Sequence, residues 1–525
     1  MSSFKKIVSL GVALTLMSGT CVAHAETVSA EDVAPAAEAA ESEIAEPEIA
    51  EEEGLTLYVV ALMTMIAASY GDWEWSRENL QETVDDEVFK TWPDKDKYRV
   101  YYYQALTETK LEAYKKADEY LAKAAAISPE SRDAGYWWLV ANVAGTLGRK
   151  LEAVDAITLY VESRPDDLNE GSAIYLMSFV TMAGEADDLN RKRRLLEALR
   201  AGDYRSADTS YPEEAFWLQL FEIYADEGND EKAAALLPFS HPYNIQNIRT
   251  DNRYRRFAEA HPEHFDYQTA VDGYLARRTV LVGEEPRSMR SVYLLSTALY
   301  EAGQMDEALA VVETILEKVG EDAYDDEAMI LQWVYDEKGA IYRLRPDGFA
   351  EAEAAYVMAR DLAVATQGDD IGPGINLANF YVSEDRPEDA LKILKTVPAK
   401  RMSTYGKMAS EGVRACAYAQ LGQKGKLRSS LKYIRKNHEE AVRVTLRALT
   451  CAADEDVLAQ YVIEGLHNKD LRQTMLKYVQ TYLPEPYLNP MALRMRATRQ
   501  NVLNREDVRK AIETYGIIEQ IPYLY

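Results

Sequence analysis

From about residue 98 onward the chain alternates apolar runs at helical spacing with short polar breaks, the pattern of consecutive amphipathic helices. The breaks keep a phase: Gly148 is followed five residues later by Ala153, Gly228 by Ala233 and Gly303 by Ala308. A glycine that closes one helix and an alanine that lets the next approach it closely predict stacked helical hairpins.

The phase holds over a full period. A 34-residue frame from Tyr98 to Ser131 places Tyr101, Ala105, Ala117, Leu121, Ala124 and Pro129 on its key positions. From Ala134 the same frame collects Trp137, Val140, Ala141, Gly148, Ala153, Ile157, Tyr160 and Pro165. On these residues the chain resembles the tetratricopeptide (TPR) superfamily. The resemblance implies an all-α, right-handed superhelical solenoid of helical hairpins, here expected in two arcs.

Weaker units follow: Leu220–Leu237, Arg290–Leu316, Ala340–Ala359, Ile375–Val397 and Val413–Ile434. In the fourth, Arg386-Pro387 replaces the glycine turn; in the last, Leu427 stands where alanine is expected, so that hairpin must splay or pack differently. With Leu57–Leu80 the count is about eight. The expected organisation is a signal peptide over 1–25, an acidic linker over 26–54 and a TPR-like arc over 55–238. An irregular helical connector over 239–285 and a second arc over 286–525, with a basic end and a terminal capping helix Glu506–Tyr515, complete it.

The leader reading rests on Lys5 and Lys6, the apolar run Ile7–Met17 and Ala23-His24-Ala25, which predict cleavage after Ala25 and a bacterial periplasmic destination. A lipoprotein acylated at Cys21 is disfavoured by Thr20 before it. No mature segment reaches the roughly 20 apolar residues that span a bilayer. The formal charge of −28 argues against nucleic acid as a partner, since phosphates are repelled by the molecule as a whole. The charge is unevenly spread: Lys400–Arg447 is basic, and Arg428, Lys432, Arg435 and Lys436 are candidates for an anionic partner such as lipid or polysaccharide.

Candidate chemistry is sparse. His261 and His264 lack further ligands at zinc spacing, Asp325-Asp326-Glu327 lacks the glycine of a calcium loop, and Gly372-Pro373-Gly374 reads as a helix entry. No catalytic, cofactor or metal site is expected, and the chain is read as a non-enzyme. Cys416 and Cys451 are expected as two buried thiols, the alternative being a bridge between neighbouring hairpins. The TPR resemblance implies that Arg99, Tyr102, Trp138, Asn142, Arg290, Tyr293, Thr297 and Asn379 line a concave groove for a protein or peptide, together with Ile375. The expected function is a periplasmic scaffold or adaptor supporting an envelope complex; the alternative is an accessory protein of lipid or polysaccharide export that engages anionic glycolipid.

Overall fold

The structure, a computed structural model, describes residues 52–69, 71–164, 173–204, 214–237, 241–366, 370–483 and 487–523. The expected signal peptide and nearly all of the acidic linker lie outside them. The described chain is a solenoid of TPR-like helical hairpins, with two two-residue strands as its sheet. The predicted small residues do what the cadence requires. Gly148 and Gly303 both take φ of +78°, which a side chain would resist, and Ala117, Ala153, Ala233 and Ala308 are fully buried between helices. Where the glycine is missing, an acidic residue takes the left-handed turn instead, as at Glu112 and Asp385. The Ala233 hairpin has a second helix of only five residues, Asp230–Ala234. Leu427 is half-buried beside Met408 and Ile434, so its hairpin accommodates the larger side chain at its rim.

Two compact units divide the chain. The first contains the hairpins Glu52–Ser69 with Trp73–Asp85, Asp94–Lys110 with Tyr114–Ile127, and Ala134–Thr146 with Lys150–Ser163. Its core joins Leu80, Phe89, Trp92, Val100, Leu121 and Leu139. Successive hairpins there are also tied by ion pairs, Arg77 to Glu108 at 2.6 Å and Arg149 to Asp118. The half-exposed Arg149–Asp118 pair contributes less than the buried alanines and leucines, whereas Glu108 is itself buried beneath Arg77.

The second unit closes on itself. Eight of its helices pack each on the next: Pro242–Thr250, Tyr267–Glu284, Met289–Glu301, Glu327–Tyr342, Gly372–Ser383, Thr404–Gln420, Val442–Ala452 and Lys469–Val479, the last returning to the first. The partner helices Met305–Glu317, Phe349–Ala365, Pro387–Thr396 and Lys424–Lys436 form an outer layer. Gly339 lies flat on the Tyr356 ring, where a Cβ would stand only 2.8 Å away, and this lets inner and outer helices meet. At the seam, Gln473 bonds Glu222, and Gln246 donates to the Tyr482 hydroxyl at 2.6 Å. Pro490–Leu503 lies across the hairpin ends, with Arg494 paired to Asp385. Glu506–Tyr515 packs on Glu455–His467.

The expectation of two buried thiols is corrected: Cys416 and Cys451 form a disulfide with their Cα atoms 5.1 Å apart. Each sits on an inner helix, and close packing of those two helices brings the sulfurs together.

Candidate functional site

The inner helices of the second unit direct polar side chains into a shared interior. Tyr293, Thr297 and Glu301 recur every four residues and so share one face of Met289–Glu301, as do Tyr274 with Arg278 and Arg443 with Arg447 on theirs. Asp336 and Glu337 come from Glu327–Tyr342, Asn376 and Asn379 from Gly372–Ser383, and Lys477 from Lys469–Val479.

Charge is unevenly distributed within this interior. Glu301, Asp336 and Glu337 form an acidic wall on two adjacent helices, with Arg278 and Arg443 near Glu301 and Arg343 near Asp336 and Glu337; Arg443, Arg447 and Lys477 form a basic wall on the two helices before the seam. Tyr243 links them, donating its hydroxyl to Glu301 while the Lys477 ammonium lies 5.4 Å from its ring centre. Desolvation pushes the Asp336 carboxyl up to about 7, against a hydrogen bond from Asn376 at 3.0 Å. It pushes Glu337 up to about 8, reinforced by the negative charges of Asp336 and Glu301. On the other wall desolvation brings Arg447 down to about 10 and Lys477 down to about 8, with like charge from Arg343 and Arg443 respectively adding to it. Asp336 and Arg447 keep part of their surface exposed although they are strongly desolvated, as expected of side chains lining a concavity. Burial holds His241 neutral, down to about 3, with its ring against Tyr274.

Part of the interior is filled by the chain's own C-terminal segment. Gln520–Ile521 pairs in parallel with Thr481–Tyr482, and Glu519 makes a two-pronged ion pair with Arg249 at 2.8 and 2.9 Å. Tyr523 is 2% exposed, its hydroxyl donating to Gln246 at 2.8 Å and its ring set edge-on against Tyr243.

Of the residues expected to line a groove, Tyr293 and Thr297 stand beside Glu337, and Asn379 lies one helical turn beyond Asn376. Arg290 heads the same helix as Tyr293, its backbone N–H held by Asp326 at 3.0 Å. Ile375 is buried in the packing between hairpins. In the first unit Arg99 lies 3.8 Å from Asp96, Tyr102 stacks on Tyr98, and Asn142 donates to the Trp138 carbonyl at 2.9 Å. Arg428, Lys432, Arg435 and Lys436 are all exposed on Lys424–Lys436, and among the described residues none has a carboxylate within ion-pair distance. Other arginines near the C-terminus are engaged: Arg499 bonds the Tyr478 carbonyl and Arg505 pairs with Asp456.

Sequence reasoning missed Glu301, Asp336, Glu337, Arg447 and Lys477. Their signal was the four-residue spacing from Tyr293 and the same inward register on later helices. The sequence-flagged clusters have structural roles: Asp326 caps Met289–Glu301 through two backbone N–H groups, and Asp325 pairs with Arg287. His261 precedes and His264 ends a short 3-10 turn, both beside Glu263, and no group that could hold a metal is found among the described residues.

No family model matches the chain, and no curated protein does. Solved structures that align with it include the APC/C hetero-tetramer Cut9–Hcn1, at 12% identity and TM-score 0.28 over 93% of this chain and 99% of that one. A Rap protein complexed with competence and sporulation factor aligns at 12% identity and TM-score 0.29, over 90% and 100%. Naa15/Naa10 bound to HypK-THB aligns at 12% identity and TM-score 0.27, over 88% and 79%.

Proposed function

We propose that this chain is a non-catalytic scaffold that holds an extended polypeptide segment in the interior of its second unit, and that it works in the bacterial periplasm in support of an envelope complex. One observation carries the reading: the interior already takes an extended peptide, the chain's own segment Glu519–Tyr523, by a strand pairing, an arginine clamp and a buried tyrosine anchor. The tail reaches the acidic wall as well, Tyr523 lying edge-on to Tyr243 and within electrostatic range of Glu301. Recognition of this kind needs no bond chemistry. The leader pattern before Ala25 and the Cys416–Cys451 bridge support an oxidising, exported location. Among the described residues no helix is long and apolar enough to cross a membrane.

The test is site-specific photocrosslinking in the native envelope from Tyr293 and Asn379, with Tyr102 and Trp138 as the first unit's probes. Crosslinks to a defined stretch of a polypeptide support the reading; their absence at all four sites refutes it. The exposed cations Arg428, Lys432, Arg435 and Lys436 favour a second reading, engagement of anionic glycolipid. That reading predicts salt-sensitive capture from membrane extract, lost on reversing those charges and indifferent to Tyr293.

A further inference from the structure

Beside the docked tail the second unit has an open cleft with about 640 Å³ of space, bounded by the end of Pro490–Leu503, by Glu506–Tyr515, by the start of Arg255–Ala260 and by the tail itself at Gly516–Ile518. That volume falls within the roughly 300–1,000 Å³ of small-molecule sites. Part of the lining is apolar. Leu503 and Ile512 are buried behind it, and Ile518, 47% exposed, is a large apolar side chain that the fold leaves in water.

The charged part of the lining is positive in a chain of net charge −28: Arg255, Arg499 and Arg509 against Glu513. Backbone carbonyls that would repel an anion there are already covered. Arg499 is fixed on the Tyr478 carbonyl at 2.6 and 2.9 Å, and the Asn252 side-chain amide donates to the carbonyls of Glu513 and Thr514 at 3.0 and 3.2 Å. The Asn252 backbone N–H takes the Tyr515 carbonyl at 3.0 Å, so the negative end of Glu506–Tyr515 is capped. Arg255 pairs with Glu259, outside the lining, at 3.1 Å. Arg509 donates to the Asn504 side-chain oxygen at 3.3 Å; among the described residues no carboxylate lies within ion-pair distance of it, Glu513 one turn along its own helix included.

An organic cation is repelled by three arginines, and a bare inorganic anion leaves the apolar wall in water. A neutral hydrocarbon covers that wall and gives the guanidiniums nothing to bond. An anionic head on an apolar chain meets both halves of the lining. We infer that the cleft binds a single-chain amphiphile with a carboxylate or phosphate head, the head at Arg509 with the Arg499 charge beside it, and the chain along Ile512 and Ile518. This site goes beyond the peptide-holding function and does not depend on it.

The test is calorimetric titration of the full chain with octanoate, octyl phosphate, octanol, octyltrimethylammonium and inorganic phosphate, all below their micelle concentrations. One-to-one binding of octanoate or octyl phosphate about ten-fold or more tighter than octanol, with the ammonium weakest, is expected, and the tighter of the two anions identifies the head. Arg509→Gln should remove most of the preference over octanol. Ile518→Asp should weaken the preferred anion about ten-fold or more. Both positions are exposed, so the Tm of the unliganded chain should hold in each variant. The site is overturned if octanol or the ammonium binds as tightly as the anions, if inorganic phosphate matches octyl phosphate, if neither variant weakens binding, or if nothing binds.

Discussion

Replacing Glu337 by glutamine should change how stability depends on pH more than it changes stability at any one pH. In the folded chain this carboxyl holds its proton up to about pH 8, against an ordinary value of 4.5. Between those values the folded chain keeps a proton that the unfolded chain has released, so stability falls as pH rises. The contribution is fully present below about pH 4.5 and gone above about pH 8. Each pH unit in that window changes stability by about 1.4 kcal/mol, which amounts to roughly 4 kcal/mol between pH 5 and pH 8. Glutamine keeps the shape and cannot ionise. The variant should therefore match wild type or fall slightly below it at pH 5, and exceed it by a few kcal/mol at pH 8. Urea denaturation at both values, comparing differences so that all other titrations cancel, is the assay. A wild-type-minus-variant difference that is the same at pH 5 and pH 8 would show that Glu337 is not desolvated, and the acidic wall would lose its physical basis.

Three further outcomes are expected. Cys416→Ser with Cys451→Ser removes a bridge spanning 35 residues and should lower stability by about 4 kcal/mol from loop entropy, measured by denaturation without reductant; an unchanged midpoint would mean the bridge is absent in solution. Glu112→Gly relieves a left-handed residue at an exposed turn and should raise stability by about 1 kcal/mol, so a fall in Tm contradicts the turn geometry. Ala308→Leu puts a large side chain where no surface is exposed, opposite Ser296, and should cost about 1–3 kcal/mol; a neutral result would mean the two helices are not in contact there.

The hairpins were legible because their determinants are local. Gly148 and Ala153 are five residues apart, and both the turn and the close approach follow from that pair. Asp385 was not read as a turn residue, because an aspartate in the left-handed region leaves no mark in composition; only the Arg386-Pro387 helix start was visible. Closure of the second unit was illegible for a different reason. Its bonds join residues such as Arg249 and Glu519, 270 positions apart, and no local periodicity records such a pairing. The site fell between these cases. Tyr293, Thr297 and Asn379 could be placed by the repeat frame, whereas Asp336 and Glu337 were two acids among 87. What distinguishes them is desolvation by neighbouring helices, a property of the packed ring. The disulfide was likewise undecidable until the spacing of two inner helices was known.

The account turns on a closed ring of helices whose interior grips extended polypeptide. The direct measurement is calorimetric titration of a synthetic peptide, Gly516 to Tyr523, into the full chain carrying Glu519→Ala and Tyr523→Ala, which frees the interior of its own tail. Saturable one-to-one binding, lost when the peptide itself lacks the glutamate or the tyrosine, is the predicted result. Absence of binding to a chain that is folded and has released its tail would contradict the account.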